Sequence, residues 1–180
     1  LKICYDFSDP SIQQNSERLS LMNRRILSFI ISLLLLGCSV RLLSAYVVQL
    51  YFVSGDSMAP TYTSGQPVLI QKWGLPDCLN RGDVVIIHRE DLHRDIVKRI
   101  VALPGDTVQI TDGILYVNAI PEDNLQHLPA MEDPGNAASP ITLGDGEYFV
   151  LGDNRNASTD SRFDEVGIIS SDSIKGKVID

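Results

Sequence analysis

The sequence predicts a mostly β domain behind a single membrane-spanning helix, on three observations. An uncharged apolar run covers Ile26 to Val40 and, with Arg41 snorkelling to the far interface, extends to about Val47. At about 1.5 Å rise per residue, that length matches a bilayer core of about 30 Å. After it come short runs rich in Val and Ile, each bounded by Gly, Pro, Asn or Asp, which is strand-and-turn punctuation. No amphipathic pattern of helix length follows the apolar run. The 180 residues suit one domain plus an anchor.

In chain order, residues 1–21 are polar, mixed in charge and without period, and are expected to be a disordered or misassigned extension, because Met22-Asn23-Arg24-Arg25 reads as a natural start. Residues 22–47 form the cytoplasmic stub and anchor. Arg24 and Arg25 ahead of the span favour a cytoplasmic N-terminus, which puts everything after it on the outer side of a plasma or thylakoid membrane. A rival reading takes the run ending Leu36-Gly37-Cys38 as a secretory signal with a lipoprotein-type cysteine, against which stands the apolar character beyond Cys38. Residues 48–180 are then a β-rich domain. Val48 to Val53, Pro67 to Lys72, Asp83 to His88 and Asp95 to Leu103 read as strands. Pro104-Gly105-Asp106 is a sharp stop, and Asp112-Gly113 is a hairpin turn between Val108–Thr111 and Ile114–Asn118. Pro121 to Pro140 reads as an irregular excursion, Glu147 to Leu151 as a further strand, and Val166–Ile169 with Ile174–Ile179 as closing strands, the last of them short or absent.

A net charge of −8 argues against a nucleic-acid partner. Of three cysteines, Cys4, Cys38 and Cys78, only the last lies in the β-rich part, so no disulfide forms within it. The chemistry centres on Ser54-Gly55-Asp56-Ser57-Met58-Ala59-Pro60-Thr61. Gly55 can take backbone angles other residues avoid and Pro60 constrains Ala59, so the Ser57 hydroxyl sits on a tight corner. Such a stretch also serves as an ordinary polar turn. A serine nucleophile needs a base. The three histidines, His88, His93 and His127, lie in charged or polar surroundings not shaped for catalysis. Lys98 fits better: strand alternation puts it on the face of Ile96 and Ile100, with Arg99 opposite beside Val97 and Val101. Desolvation there favours the neutral amine; snorkelling or pairing with a carboxylate is the competing fate.

Three stretches in order, Ser54 to Thr61, Lys98-Arg99-Ile100-Val101-Ala102-Leu103-Pro104-Gly105-Asp106, and Gly152-Asp153-Asn154-Arg155-Asn156-Ala157-Ser158-Thr159-Asp160-Ser161-Arg162, resemble the sequence boxes of bacterial type I signal peptidases. The resemblance runs from about residue 24 onward. It implies a coiled, partly closed antiparallel β-sheet domain and a serine endopeptidase that removes signal peptides from exported preproteins, cutting after small residues such as alanine. Ser57 matches the nucleophile, Lys98 the general base and Ser158 the hydroxyl that orients it. Asp160 and Arg162 match a supporting ion pair, and Asp153 and Arg99 residues of structural importance. Gly55 stands where some members have a serine that completes the oxyanion hole, so the hole rests on the Ser57 backbone N–H and whatever the Gly55 region supplies. Ala157 stands where asparagine is common.

On this reading the substrate lies extended along the strands near Gly55, Met58 and Ile100, and the serine, a few residues past the anchor, works close to the bilayer. The partners are preprotein signal peptides and lipid. No metal or organic cofactor is implied. Two other readings stay open: another Ser/Lys protease, such as the self-cleaving repressor type, and a membrane-anchored β domain that binds without cleaving.

Overall fold

In a computed structural model of the chain, residues 10–91, 93–122 and 128–179 are described. Helix α1 spans Pro10–Tyr46. Its segment Arg18–Leu42 is long and apolar enough to cross a membrane, and side chains such as Phe29, Leu33 and Leu36 are exposed along it. The expectation of an unstructured leader over residues 1–21 fails for its second half: the helix begins at Pro10, while residues 1–9 lie outside the described residues. Proline has no N–H to lose at a first helical position. Beyond it Gln13, Gln14, Glu17 and Arg18 are good helix formers, and a helix already nucleated over the apolar run propagates at little cost. Up to Ala45 the helix belongs to one compact unit, and Tyr46–Asp180 is a second.

Strands β1 to β11 of the second unit are Val48–Phe52, Pro67–Gln71, Val84–Arg89, Arg94–Ala102, Thr107–Thr111, Ile114–Val117, Ile120–Pro121, Ile141–Thr142, Glu147–Leu151, Ile169–Ser170 and Ile174–Ile179. They form a seven-stranded sheet in the order β1-β2-β11-β3-β4-β9-β10 and a four-stranded sheet in the order β7-β6-β5-β8. Every pairing is antiparallel. After α1 the helices among the described residues are two short 3-10 turns, Gly135–Ala138 and Ser171–Ser173. The strand expected to be short or absent, β11, is complete and lies inside the large sheet, between β2 and β3.

Strand β3 is the centre of the packing because its run Val84-Val85-Ile86-Ile87 is buried on both faces. Val84 and Ile86 pack with Val68, Ile70, Val97 and Val178, under Met58 and Tyr62. On the opposite face Val85 and Ile87 pack with Ile100, Tyr148, Val150 and Ile174, with Ile96 against them. A third cluster joins the sheets: Val108, Ile110, Leu115 and Val117 of the small one close on Val101, Ala102, Phe149 and Leu151 of the large one. At the corner between them, the Asp106 carboxylate accepts from the Leu103 N–H at 2.7 Å. It also accepts from Arg81 Nε at 3.0 Å and Nη2 at 2.5 Å, and from Asn118 Nδ2 at 2.8 Å. The Asp112-Gly113 hairpin has positive φ at both positions, 53° and 76°, the geometry a two-residue turn of this kind demands.

Candidate active site

Ser57 is set by its neighbours. Gly55 takes φ of 86°, in the left-handed region open to glycine, so the chain turns back sharply after Val53. Met58 and Tyr62 then bury themselves against the large sheet, which pins the corner from beneath while Ser57 stays partly exposed. Asn154 clamps it from the other side: its N–H donates to the Ser57 carbonyl at 3.0 Å and its Nδ2 to the Asp56 carbonyl at 3.2 Å.

Lys98 stands on β4 opposite Val85 of β3. It is 3 % exposed, and Nζ donates to Ser158 Oγ at 3.0 Å. Burial pulls its pKa down to about 8; the Asp160 charge opposes that shift and the Arg162 and Arg94 charges assist it. The alternation read from the sequence holds, since Ile96 and Ile100 share one apolar cluster and Val97 lies in the other. The amine does not snorkel: its partner is a neutral hydroxyl deep in the domain.

Ser158 is held in turn. Asp160, fully buried, pairs with Arg162 Nε at 2.8 Å and accepts from the Gly152 N–H at 3.0 Å. Arg162 sends Nη1 to the Asp133 carbonyl at 2.9 Å and Nη2 to the carbonyls of Arg155 at 2.5 Å and Ser158 at 3.3 Å, and lies over the Phe163 ring. A second pair, with its carboxylate buried and its guanidinium partly exposed, ties this loop to both other stretches. Arg99 grips Asp153 through Nε at 2.8 Å and Nη2 at 2.6 Å, and Thr61 Oγ1 donates to the same carboxylate at 2.5 Å. Burial alone would raise the Asp153 carboxyl, but the bonds from Arg99 and Thr61 outweigh it and hold the carboxyl below its ordinary range. Gly152 is the tightest point. A Cβ there would overlap Ser158 Oγ and the Ser57 carbonyl oxygen.

Ser57 and Lys98 both line one cleft of about 770 Å³, together with residues that include Tyr51, Ser54, Gly55, Ile96, Ala157, Thr159 and Val166. Of the three residues expected along the substrate path, only Gly55 lines it. Met58 and Ile100 are 1 % and 0 % exposed and belong to the core; the apolar character that suggested a substrate wall is spent on anchoring the serine turn and β4. His88 pairs with Asp95 at 2.7 Å on the outer part of the large sheet, His93 is in the β3–β4 turn, and His127 lies outside the described residues. Gly152 and Asn154 were inside the third stretch of sequence but carried no role there, because a close backbone approach leaves no trace in residue type beyond the glycine itself.

Chemically, a desolvated amine that shares a cleft with a serine hydroxyl on a fixed corner is of the type that acts as a base towards such a hydroxyl. Residues 24–179 match the family described as signal peptidase, peptidase S26, and the chain belongs to that family. It is 34 % identical over 173 residues to signal peptidase IB of Staphylococcus aureus (strain COL), covering 87 % of this chain and 89 % of that protein. It is 36 % identical over 143 residues to signal peptidase I of Bacillus licheniformis, covering 75 % of this chain and 76 % of that protein. A solved signal peptidase I from Enterococcus faecalis V583 aligns with a TM-score of 0.45 and 29 % identity, over 56 % of this chain and 97 % of that one.

Proposed function

We propose that the chain is a membrane-bound serine endopeptidase that removes signal peptides from exported preproteins, with Ser57 as nucleophile and Lys98 as general base. The observation that carries this reading is the buried Lys98 amine held at 3.0 Å by Ser158 Oγ, in the cleft that Ser57 also lines. Neutral Lys98 takes the Ser57 proton as Oγ attacks the scissile carbonyl carbon. The oxyanion that forms is met by the Ser57 N–H, which has no acceptor among the described residues. Collapse of this tetrahedral adduct breaks the C–N bond, Lys98 gives its proton to the leaving amine, and a water activated by the same base then hydrolyses the acyl-enzyme. Ser158 fixes the direction of the amine lone pair. The substrate lies extended in the cleft beside Gly55 and Ile96, with small residues preceding the cut.

The anchor is α1, and Arg24 and Arg25 orient it with the N-terminus in the cytoplasm and the β domain outside. Contact of that domain with lipid is supported by an exposed apolar row, in which Leu50 of β1 and Ile179 of β11 both face Leu69 of β2. The test is cleavage of a preprotein in detergent by the wild type, Ser57→Ala, Lys98→Ala and Ser158→Ala, with the cut site read by mass spectrometry. Loss of cutting in the first two variants and a strong reduction in the third, all folded, is the expected result. Four folded proteins that all fail to cut would leave a binding domain without cleavage, and four that all cut would overturn the Ser57/Lys98 assignment.

A further inference from the structure

The loop after β9 carries a charged group that this mechanism leaves unused. Arg155 is 3 % exposed, and its Nε and Nη2 have no hydrogen-bond acceptor among the described residues. Its remaining nitrogen, Nη1, reaches only the Met131 sulfur, at 3.7 Å, a weak acceptor. Nε and Nη2 form the side-on fork of a guanidinium, which matches a carboxylate in two parallel bonds. Four other arginines of the domain use that same fork on a carboxylate: Arg81 on Asp106, Arg89 on Asp91, Arg99 on Asp153 and Arg162 on Asp160. In Arg155 it is open. The charges of Asp153 and Asp160 partly offset the burial of this cation, but neither fills the fork, and buried donors without acceptors are costly.

The same guanidinium lines a cavity of about 250 Å³ whose other walls include Leu115, Leu128, Ala130 and Met131. No residue lines both this cavity and the Ser57 cleft. We infer that the cavity is a binding site for a small carboxylate with a short apolar tail, the two oxygens accepting from Arg155 Nε and Nη2 and the tail lying against Leu115, Leu128 and Met131. The apolar wall favours an anion that carries a tail over a bare inorganic one such as sulfate. The site is mechanically tied to the catalytic loop, because Arg162 Nη2 donates both to the Arg155 carbonyl and to the Ser158 carbonyl. It stands whether or not the dyad cuts signal peptides.

The full chain in detergent is titrated with butyrate, and with butyramide and sulfate at matched ionic strength, following Tm and heat of binding. Butyrate raises Tm saturably, while butyramide and sulfate do not. Arg155→Met abolishes the response. Ala130→Phe, which narrows the cavity with the guanidinium intact, weakens butyrate binding by about tenfold or more and decides the matter if Arg155→Met does not fold. Ser57→Ala binds butyrate as the wild type does, which places the site outside the cleft. An absent butyrate response, an equal response to butyramide or to sulfate, or undiminished binding by Ala130→Phe overturns the inference.

Discussion

Lys98 loses its proton at about pH 8, and burial is the main cause. On the proposed mechanism, kcat/KM for a preprotein rises with pH through that value, since only the neutral amine can accept the Ser57 proton. A profile flat from pH 6 to 10 contradicts a lysine base. The same shift appears in stability. Between about 8 and 10.5, the lysine's ordinary value, the unfolded chain holds a proton that the folded one has released, so stability increases with pH across that window, by on the order of 3 kcal/mol. Lys98→Met lacks this increase in denaturant titrations repeated at several pH values. The burial of Lys98 was legible in the sequence because alternation on β4 puts it on the face of two isoleucines; its partnership with Ser57 was implied only by the family resemblance. The clamp on Ser57 was not legible, because the Asn154 N–H and amide both donate to backbone carbonyls, and nothing in the residue types of the serine turn marks carbonyls as acceptors for a loop far along the chain.

At the scale of elements, the site is the meeting of two turns and one strand, and Gly152 at the end of β9 is where they touch. Gly152→Ala forces Ser158 Oγ and the Ser57 carbonyl apart. The expected outcome is a loss of about 1–3 kcal/mol in stability and a fall of at least tenfold in kcat/KM, seen by chemical denaturation and by preprotein cleavage. Asp153 binds the turn of Thr61 to β4 through Arg99. Asp153→Asn removes the charge that the part-exposed Arg99 pairs with and costs about 1–3 kcal/mol. Because the folded Asp153 carboxyl lies below 3.8, the wild type keeps this contribution above that pH and loses it as pH falls through the lower folded value; the variant's acid unfolding is correspondingly less steep. Strands of four or more residues were legible from Val and Ile runs with turn punctuation, and the Asp112-Gly113 hairpin from its turn residues. The two-residue strands β7 and β8 were not, since a pair of residues carries no period, and Met58 and Ile100 were misplaced because an apolar residue beside a nucleophile looks the same whether it walls the cleft or anchors it.

For the whole molecule, the decisive placement is that of β11 between β2 and β3. Antiparallel order within a sheet is not written in any one segment, so the sequence indicated a closing strand without indicating that it closes the middle rather than an edge. A chain ending at Ser173 leaves β1-β2 without a neighbour and exposes Val84 and Ile86, which are otherwise covered with Val178. Its β domain is expected to give no cooperative unfolding transition and to be digested rapidly by protease, while α1 keeps its helical signal in micelles. Full resistance of that truncated chain would mean that β3 and β2 can pair without it. The position of β11 also imposes an order on biosynthesis. A ribosome hides the most recently made residues, so the two halves of the large sheet wait, unjoined, until residues 174–179 emerge. The proposed cleft, whose lysine strand is β11's neighbour but one, therefore takes its final shape only after residues 174–179 have left the ribosome, however early its own residues were made.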